Sequence, residues 1–125
     1  MAGPAAQRRK ALRRGKRGET LCAWLLRLKG YRILGRNIRT PVGEIDLLAR
    51  RGNVLAVIEV KSRSELMAAG ESVTPEKQRR LVRAARYMLT RLPEDSGLTM
   101  RFDAMLVVAP WRIAHVIDAW RDEAG

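Results

Sequence analysis

The chain has 125 residues, enough for one domain with a real core, and its 46% hydrophobic content is that of a globular protein. Lys and Arg number 25 against 13 Asp and Glu, so the chain carries +12 and is suited to polyanionic partners, nucleic acid first. One cysteine, Cys22, and one histidine, His115, exclude an internal disulfide framework and a zinc site built from His and Cys, and no apolar run is long enough for a membrane span.

The first stretch, residues 1–14, is small or basic with almost no apolar period, and it predicts a flexible basic arm. Arg8, Arg9, Lys10, Arg13, Arg14, Lys16 and Arg17 all precede the first acid, Glu19. The arm lacks the apolar core of a secretory signal, and with a lone cysteine the expected location is cytoplasmic. A mitochondrial presequence is also Arg-rich and acid-poor. One domain is expected over 15–121, with a tail at 122–125.

Residues 16–29 predict a helix, with Leu21, Leu25 and Leu28 at the helical period, Cys22 and Leu26 widening the stripe, and Gly30 as its stop. YRILGRNIR then alternates loosely and ends at the turn signal Thr40-Pro41-Val42-Gly43. Two further strands are expected at 44–50 and 54–62, split by Arg51-Gly52-Asn53. Residues 62–75 have no strong pattern and read as a loop. Thr74-Pro75-Glu76 opens a second helix running to about Leu92, before Pro93. Its apolar stripe is Leu81, Ala84, Ala85, Met88 and Leu89, and its other face carries Lys77, Arg79, Arg80, Arg83 and Arg86. Strands at 101–109 and 113–119 complete the order α-β-β-β-α-β-β, an α/β fold with a mixed β-sheet flanked by helices.

The chemistry concentrates in GEIDLLARRGNVLAVIEVKSR, residues 43–63. Side chains alternate along a strand, so Glu59 and Lys61 share one face, as do Glu44 and Asp46. A hairpin loop of two residues (Arg51-Gly52) or four (Arg50 to Asn53) puts all four on the same face, with Glu44 opposite Glu59 and Asp46 a diagonal neighbour. A three-residue loop separates them. In the first case Asp46 and Glu59 can ligate one Mg²⁺ or Mn²⁺ between them, with the Val60 carbonyl and waters. Such an ion polarises a phosphodiester and acidifies a bound water, and Lys61 beside it meets developing negative charge. The plain alternative is a set of cross-strand ion pairs on a solvated face. Against it stands the run VLAVIEV, which reads as a buried central strand.

Asp46, then Glu59-Val60-Lys61 after twelve intervening residues, resembles the PD-(D/E)xK nuclease signature without its proline, since Ile45 precedes Asp46. Gly18-Glu19, Gly30-Tyr31, Gly43-Glu44-Ile45-Asp46-Leu47, Glu59-Val60-Lys61, Lys77-Gln78 and Arg101-Phe102-Asp103 together resemble the bacterial YraN-type family, described as related to Holliday junction resolvases. The resemblance spans about residues 15–120. It implies a restriction-endonuclease-like core with Glu19, Asp46, Glu59 and Lys61 as the active-site set, and Gln78 near the metal. Junction resolvases are dimers, so the resemblance allows a homodimer, although the sequence shows no self-complementary patch.

Read without the resemblance, Glu19 also suits a helix N-terminus, Glu44 a nearby arginine and Gln78 a helix surface. Asp103 reads as structural and His115 as an ordinary strand residue. Trp24, Trp111 and Trp120 read as packing residues. Arg13, Arg14, Lys16, Arg17, Lys77, Arg79, Arg80 and Arg83 are the candidate phosphate contacts, with DNA preferred over RNA and recognition by backbone or shape. The expected function is a metal-dependent, structure-selective nuclease. The alternatives are a non-catalytic nucleic-acid binder with the same fold, or a basic RNA- or ribosome-associated protein.

Overall fold

A computed structural model describes residues 18–62, 73–92, 97–109 and 112–121. The elements are helix α1 (residues 18–28), strands β1 (Arg32–Thr40), β2 (Gly43–Arg51) and β3 (Val54–Ser62), helix α2 (Pro75–Leu89), and strands β4 (Thr99–Ala109) and β5 (Arg112–Trp120). This is the predicted order, and the five strands form one mixed sheet in the order β1-β2-β3-β4-β5. β1, β2 and β3 are an antiparallel meander, β3 and β4 pair in parallel, and β4 and β5 are antiparallel. The parallel pair needs a long crossover, and α2 lies on it. The basic arm, with Arg13, Arg14, Lys16 and Arg17, lies outside the described residues, as do most of the expected loop at 62–75, Trp111 and the tail.

β3 is the centre. Leu55, Ala56, Val57 and Ile58 are all fully buried, so the strand is apolar on both faces, as a strand covered on both sides must be. Leu55 and Val57 join Ile45, Leu48, Leu81, Ala84 and Ala85 on the α2 side. Ala56 and Ile58 join Leu47, Met105, Cys22, Ala23 and Leu26 on the α1 side. Burying each large aliphatic side chain contributes about 1.5–3 kcal/mol.

Helix α2 begins as expected. Thr74 Oγ1 accepts from the Lys77 amide at 3.3 Å and Pro75 opens the helix. It ends at Leu89, three residues earlier than the apolar pattern suggests, because Thr90, Arg91 and Leu92 bond three residues back and tighten the last turn. Helix α1 is turned relative to the Leu21-Leu25-Leu28 stripe. Its buried face is Glu19, Cys22, Ala23 and Leu26, and Leu28 is 83% exposed. The C-terminal cap sets this phase. Gly30, at φ 91°, bonds to the Arg27 carbonyl, and the Tyr31 amide bonds to that of Leu26. That pairing is a Schellman cap, and it packs Tyr31 against Leu26. Trp24 stays outside, under the Arg27 guanidinium.

The sheet carries a buried polar knot on its α1 side. Asp103 is 0% exposed. Its carboxylate accepts from Arg101 at 2.8 and 2.9 Å, from His115 Nε2 at 2.8 Å and from the Asp118 amide at 3.0 Å. Arg101 also bonds the Tyr31 hydroxyl, and Lys29 Nζ donates to His115 Nδ1 at 2.9 Å. His115 is therefore more than an ordinary strand residue, since it ties β5 to β4 and to the end of α1. Burial raises the Asp103 pKa, but the bonds from His115, Arg101 and Asp118 outweigh it and bring the group down to about 2.

Because Asp103 titrates lower in the fold than in the open chain, its stabilisation is present above about pH 4 and is lost as pH falls toward 2. Asp103→Asn should cost on the order of 2 kcal/mol at neutral pH, since it leaves the half-buried Arg101 guanidinium without its counter-charge. Urea denaturation at pH 7 and pH 2.5 checks this. The variant's deficit should shrink at the lower pH, and an equal deficit at both would refute the assignment.

Candidate active site

The β2–β3 hairpin decides whether the acids meet. Arg51 pairs with Val54, so the loop is Gly52-Asn53, and the ladder continues to Leu47 opposite Ile58. The loop has an even number of residues, so the expected parity holds. Its position differs from the anticipated Arg51-Gly52, and that moves the register by one pair. Continued one step, the register sets Asp46 directly across from Glu59, where a diagonal relation was expected. Gly52, at φ 61°, takes the left-handed position this turn requires.

At Asp46 the regular ladder gives way. Asp46 Oδ2 accepts the Val60 amide at 2.9 Å, so a side chain replaces a main-chain acceptor. Glu59 is the acid whose charge Asp46 feels most. Burial, then the Glu59 charge, push the Asp46 carboxyl up to about 7, against the Val60 bond that lowers it. Glu59 is buried, and its Oε1 receives two ammonium groups, Lys77 Nζ at 2.6 Å and Lys61 Nζ at 3.6 Å. Lys61 is nearly enclosed, with a side chain 11% exposed, while that of Lys77 is 43% exposed.

Glu19 reaches this end of the sheet from the buried face of α1 and is 8% exposed. Its Oε2 is buried without a hydrogen-bond partner. Burial raises its pKa, with Glu59 and Glu44 adding to the rise, while Asn37 and Arg36 oppose it. Asn37 was missed by the sequence reading. It lies in β1 between the pairs Arg36–Leu47 and Ile38–Ile45, hence across from Asp46, and holds φ 50°. Asparagine tolerates that conformation, but an isolated Asn in a strand gave little to find it by.

The acids open into a cleft of about 330 Å³ lined by Gly43, Glu44, Asp46, Glu59, Lys77, Arg80 and Leu81. At Gly43 the backbone passes so close to α2 that an added Cβ would lie 3.4 Å from the Arg80 carbonyl. Glu44 is exposed and pairs with Arg39 at 3.4 Å, the arginine-partner reading. The Gln78 amide donates to the Val73 carbonyl at 2.8 Å, and the residue does not line the cleft. Arg79, Arg80, Arg83 and Arg86 are exposed along α2, with Arg80 on Glu76 at 2.9 Å. Lys77, grouped with them in the sequence, turns inward to Glu59.

Whether these residues suit a divalent ion can be judged from their chemistry. Asp46 and Glu59 offer oxygens on one cleft, and Glu19 Oε2 is a buried carboxyl oxygen with no hydrogen-bond partner. Among the described residues no three His, Cys, Asp or Glu side chains stand close enough to form a ready ligand group. Two carboxylates, with water completing the shell, are a donor set that Mg²⁺ accepts. The set fits.

The family model described as "Uncharacterised protein family UPF0102" matches residues 18–107. A UPF0102 protein of Parvibaculum lavamentivorans is 53% identical over 111 residues, 89% of this chain and 84% of the relative. One from Mesorhizobium japonicum is 53% identical over 118 residues, 94% of each chain. One from Paramagnetospirillum magneticum is 48% identical over 125 aligned positions, 96% of each.

Asp46 titrates higher in the fold than in the open chain, so the protein should lose stability as pH rises from about 4 to 7. Asp46→Asn keeps an acceptor for the Val60 amide and removes the charge. It should stabilise the metal-free protein at pH 8 by on the order of 2–4 kcal/mol, and by almost nothing at pH 4. Urea midpoints at the two pH values measure it, and a gain independent of pH would contradict the electrostatic cause.

Proposed function

Because this chain belongs to the uncharacterised protein family UPF0102, whose description names no activity, its function must be sought in the site itself, and we propose that it is a metal-dependent nuclease acting on structured nucleic acid, DNA before RNA. One observation carries the reading. A half-buried carboxyl, Asp46, and a buried one, Glu59, from adjacent strands face one cleft, with Lys61 and Lys77 on the second of them. Burying like-charged groups together is unfavourable, and a fold that does so at a cleft beside lysines is typical of a catalytic centre.

In this reading Asp46 and Glu59 would hold Mg²⁺ or Mn²⁺, with the Val60 carbonyl as a further candidate ligand. The ion, when bound, supplies charge for the phosphate and acidifies a water. Lys61, fixed by its enclosure beside Glu59, would place an ammonium where phosphoryl oxygens gain negative charge. Glu19 on α1 does not line the cleft, but its charge is felt at Asp46 and would add to the field that draws a cation in. The exposed Arg79, Arg80 and Arg83 on α2 would meet the nucleic-acid backbone, and a shape-selective grip needs no base-reading side chain. No helix among the described residues is long and apolar enough to cross a membrane.

A non-catalytic nucleic-acid binder is the second reading, and one contact favours it. Lys77 already neutralises Glu59, so the site can persist as an internal ion pair.

The two readings separate in one experiment. Purified protein is given duplex, single-stranded, flap and four-way DNA, and matching RNA, with Mg²⁺, Mn²⁺ or EDTA. The nuclease reading expects cleavage that needs the metal and disappears in Asp46→Asn and Glu59→Gln, with binding kept. Lys61→Ala should slow it by on the order of 10²–10³. Equal cleavage by wild type and Asp46→Asn would assign the activity elsewhere. Binding without cleavage on every substrate would leave the binder reading.

A further inference from the structure

Lys77 stands out because it does two incompatible things in the metal-binding reading, on which the following rests. It projects from the first turn of α2, among residues that face solvent, yet its ammonium sits 2.6 Å from Glu59 Oε1. That oxygen is one the reading gives to the ion. Lys61 Nζ, from the same strand as Glu59, is farther away at 3.6 Å and its side chain is nearly enclosed. The two lysines therefore differ in kind. Lys61 is part of the sheet's interior. Lys77 reaches in from outside on a flexible four-carbon stem that remains partly in water.

The neighbouring charges have partners of their own. Arg80 lies on Glu76 and Arg39 on Glu44. At the cleft, Lys77 is the cation that bridges from α2 to the carboxylates of the sheet. A divalent ion at Glu59 and the Lys77 ammonium would bring two positive groups onto one oxygen, which like-charge repulsion opposes.

We propose that Lys77 is a displaceable counter-ion. It occupies Glu59 Oε1 in the metal-free protein and must leave that oxygen when the divalent ion arrives. The ion's affinity is then set partly by the strength of a lysine contact, and Lys77 acts as a positioning residue on Glu59. Lys77 and the ion compete for one oxygen, so removing the lysine should strengthen the ion.

The test is Mn²⁺ binding by the full chain without nucleic acid, followed by the electron paramagnetic resonance of free Mn²⁺. Wild type, Lys77→Met, Lys77→Arg and Asp46→Asn are titrated side by side. Lys77→Met keeps the stem and loses the charge, and it should bind Mn²⁺ on the order of tenfold more tightly. Lys77→Arg keeps the charge and should bind no more tightly than wild type. Asp46→Asn should lose the site. If Lys77→Met and wild type bind equally while Asp46→Asn does not bind, the metal reading stands and the counter-ion is overturned. If Lys77→Arg tightens binding as much as Lys77→Met, the effect is not one of charge and the proposal again fails. Binding that survives Asp46→Asn, or is absent from all four proteins, overturns both.

Discussion

Two carboxyl groups on neighbouring strands, with most of their water removed, are the constraint around which this fold is arranged. Like charges about 4 Å apart repel by about 1 kcal/mol in water and about 4 kcal/mol at the effective dielectric of a protein surface. The Asp46–Glu59 pair meets that opposition in three ways. The Val60 amide bonds one acid, two lysines approach the other, and Asp46 keeps its proton to higher pH. Each needs a particular element in place. Val60 and Lys61 come from β3, Lys77 from α2, and the facing register from the Gly52-Asn53 turn.

Asp103 makes the contrast. It is at least as deeply buried, yet its pKa moves down where that of Asp46 moves up. The difference is supply. Asp103 has a guanidinium, an imidazole and an amide on its two oxygens, all from its own fold. Asp46 has an amide and another acid. Burial alone does not separate a structural carboxylate from a reactive one. What separates them is whether the fold itself provides the charge each requires.

Most of the architecture was legible in the sequence. The period-two runs, the Thr74-Pro75 start and the Gly30 stop all mark real boundaries, because local chemistry decides them. The facing acids were legible as a parity, since any even loop preserves it. The exact register was not, because Arg51-Gly52 and Gly52-Asn53 are both acceptable turns and only packing chooses. The phase of α1 escaped for a similar reason. Its leucines suit two faces, and the Tyr31 cap selects the one bearing Glu19. Lys77 was hidden by composition. It sits in a run of basic residues, and no local pattern tells which of them turns inward.

The parallel pairing of β3 with β4 bears on how the molecule assembles. The β2–β3 hairpin closes through a two-residue turn, so its contacts are local and form early. Val54 meets Thr99 only after the whole crossover has been laid down, which is the slow kind of contact. Lys77 rides on that crossover. During synthesis, therefore, Asp46 and Glu59 leave the ribosome before the lysine that will sit on Glu59. The hairpin can zip from Arg51–Val54 to Leu47–Ile58 without any acid in its ladder. Its acidic end gains the Lys77 contact on Glu59 only once the second helix has docked, so the site on which the proposed chemistry depends is completed across a long stretch of chain.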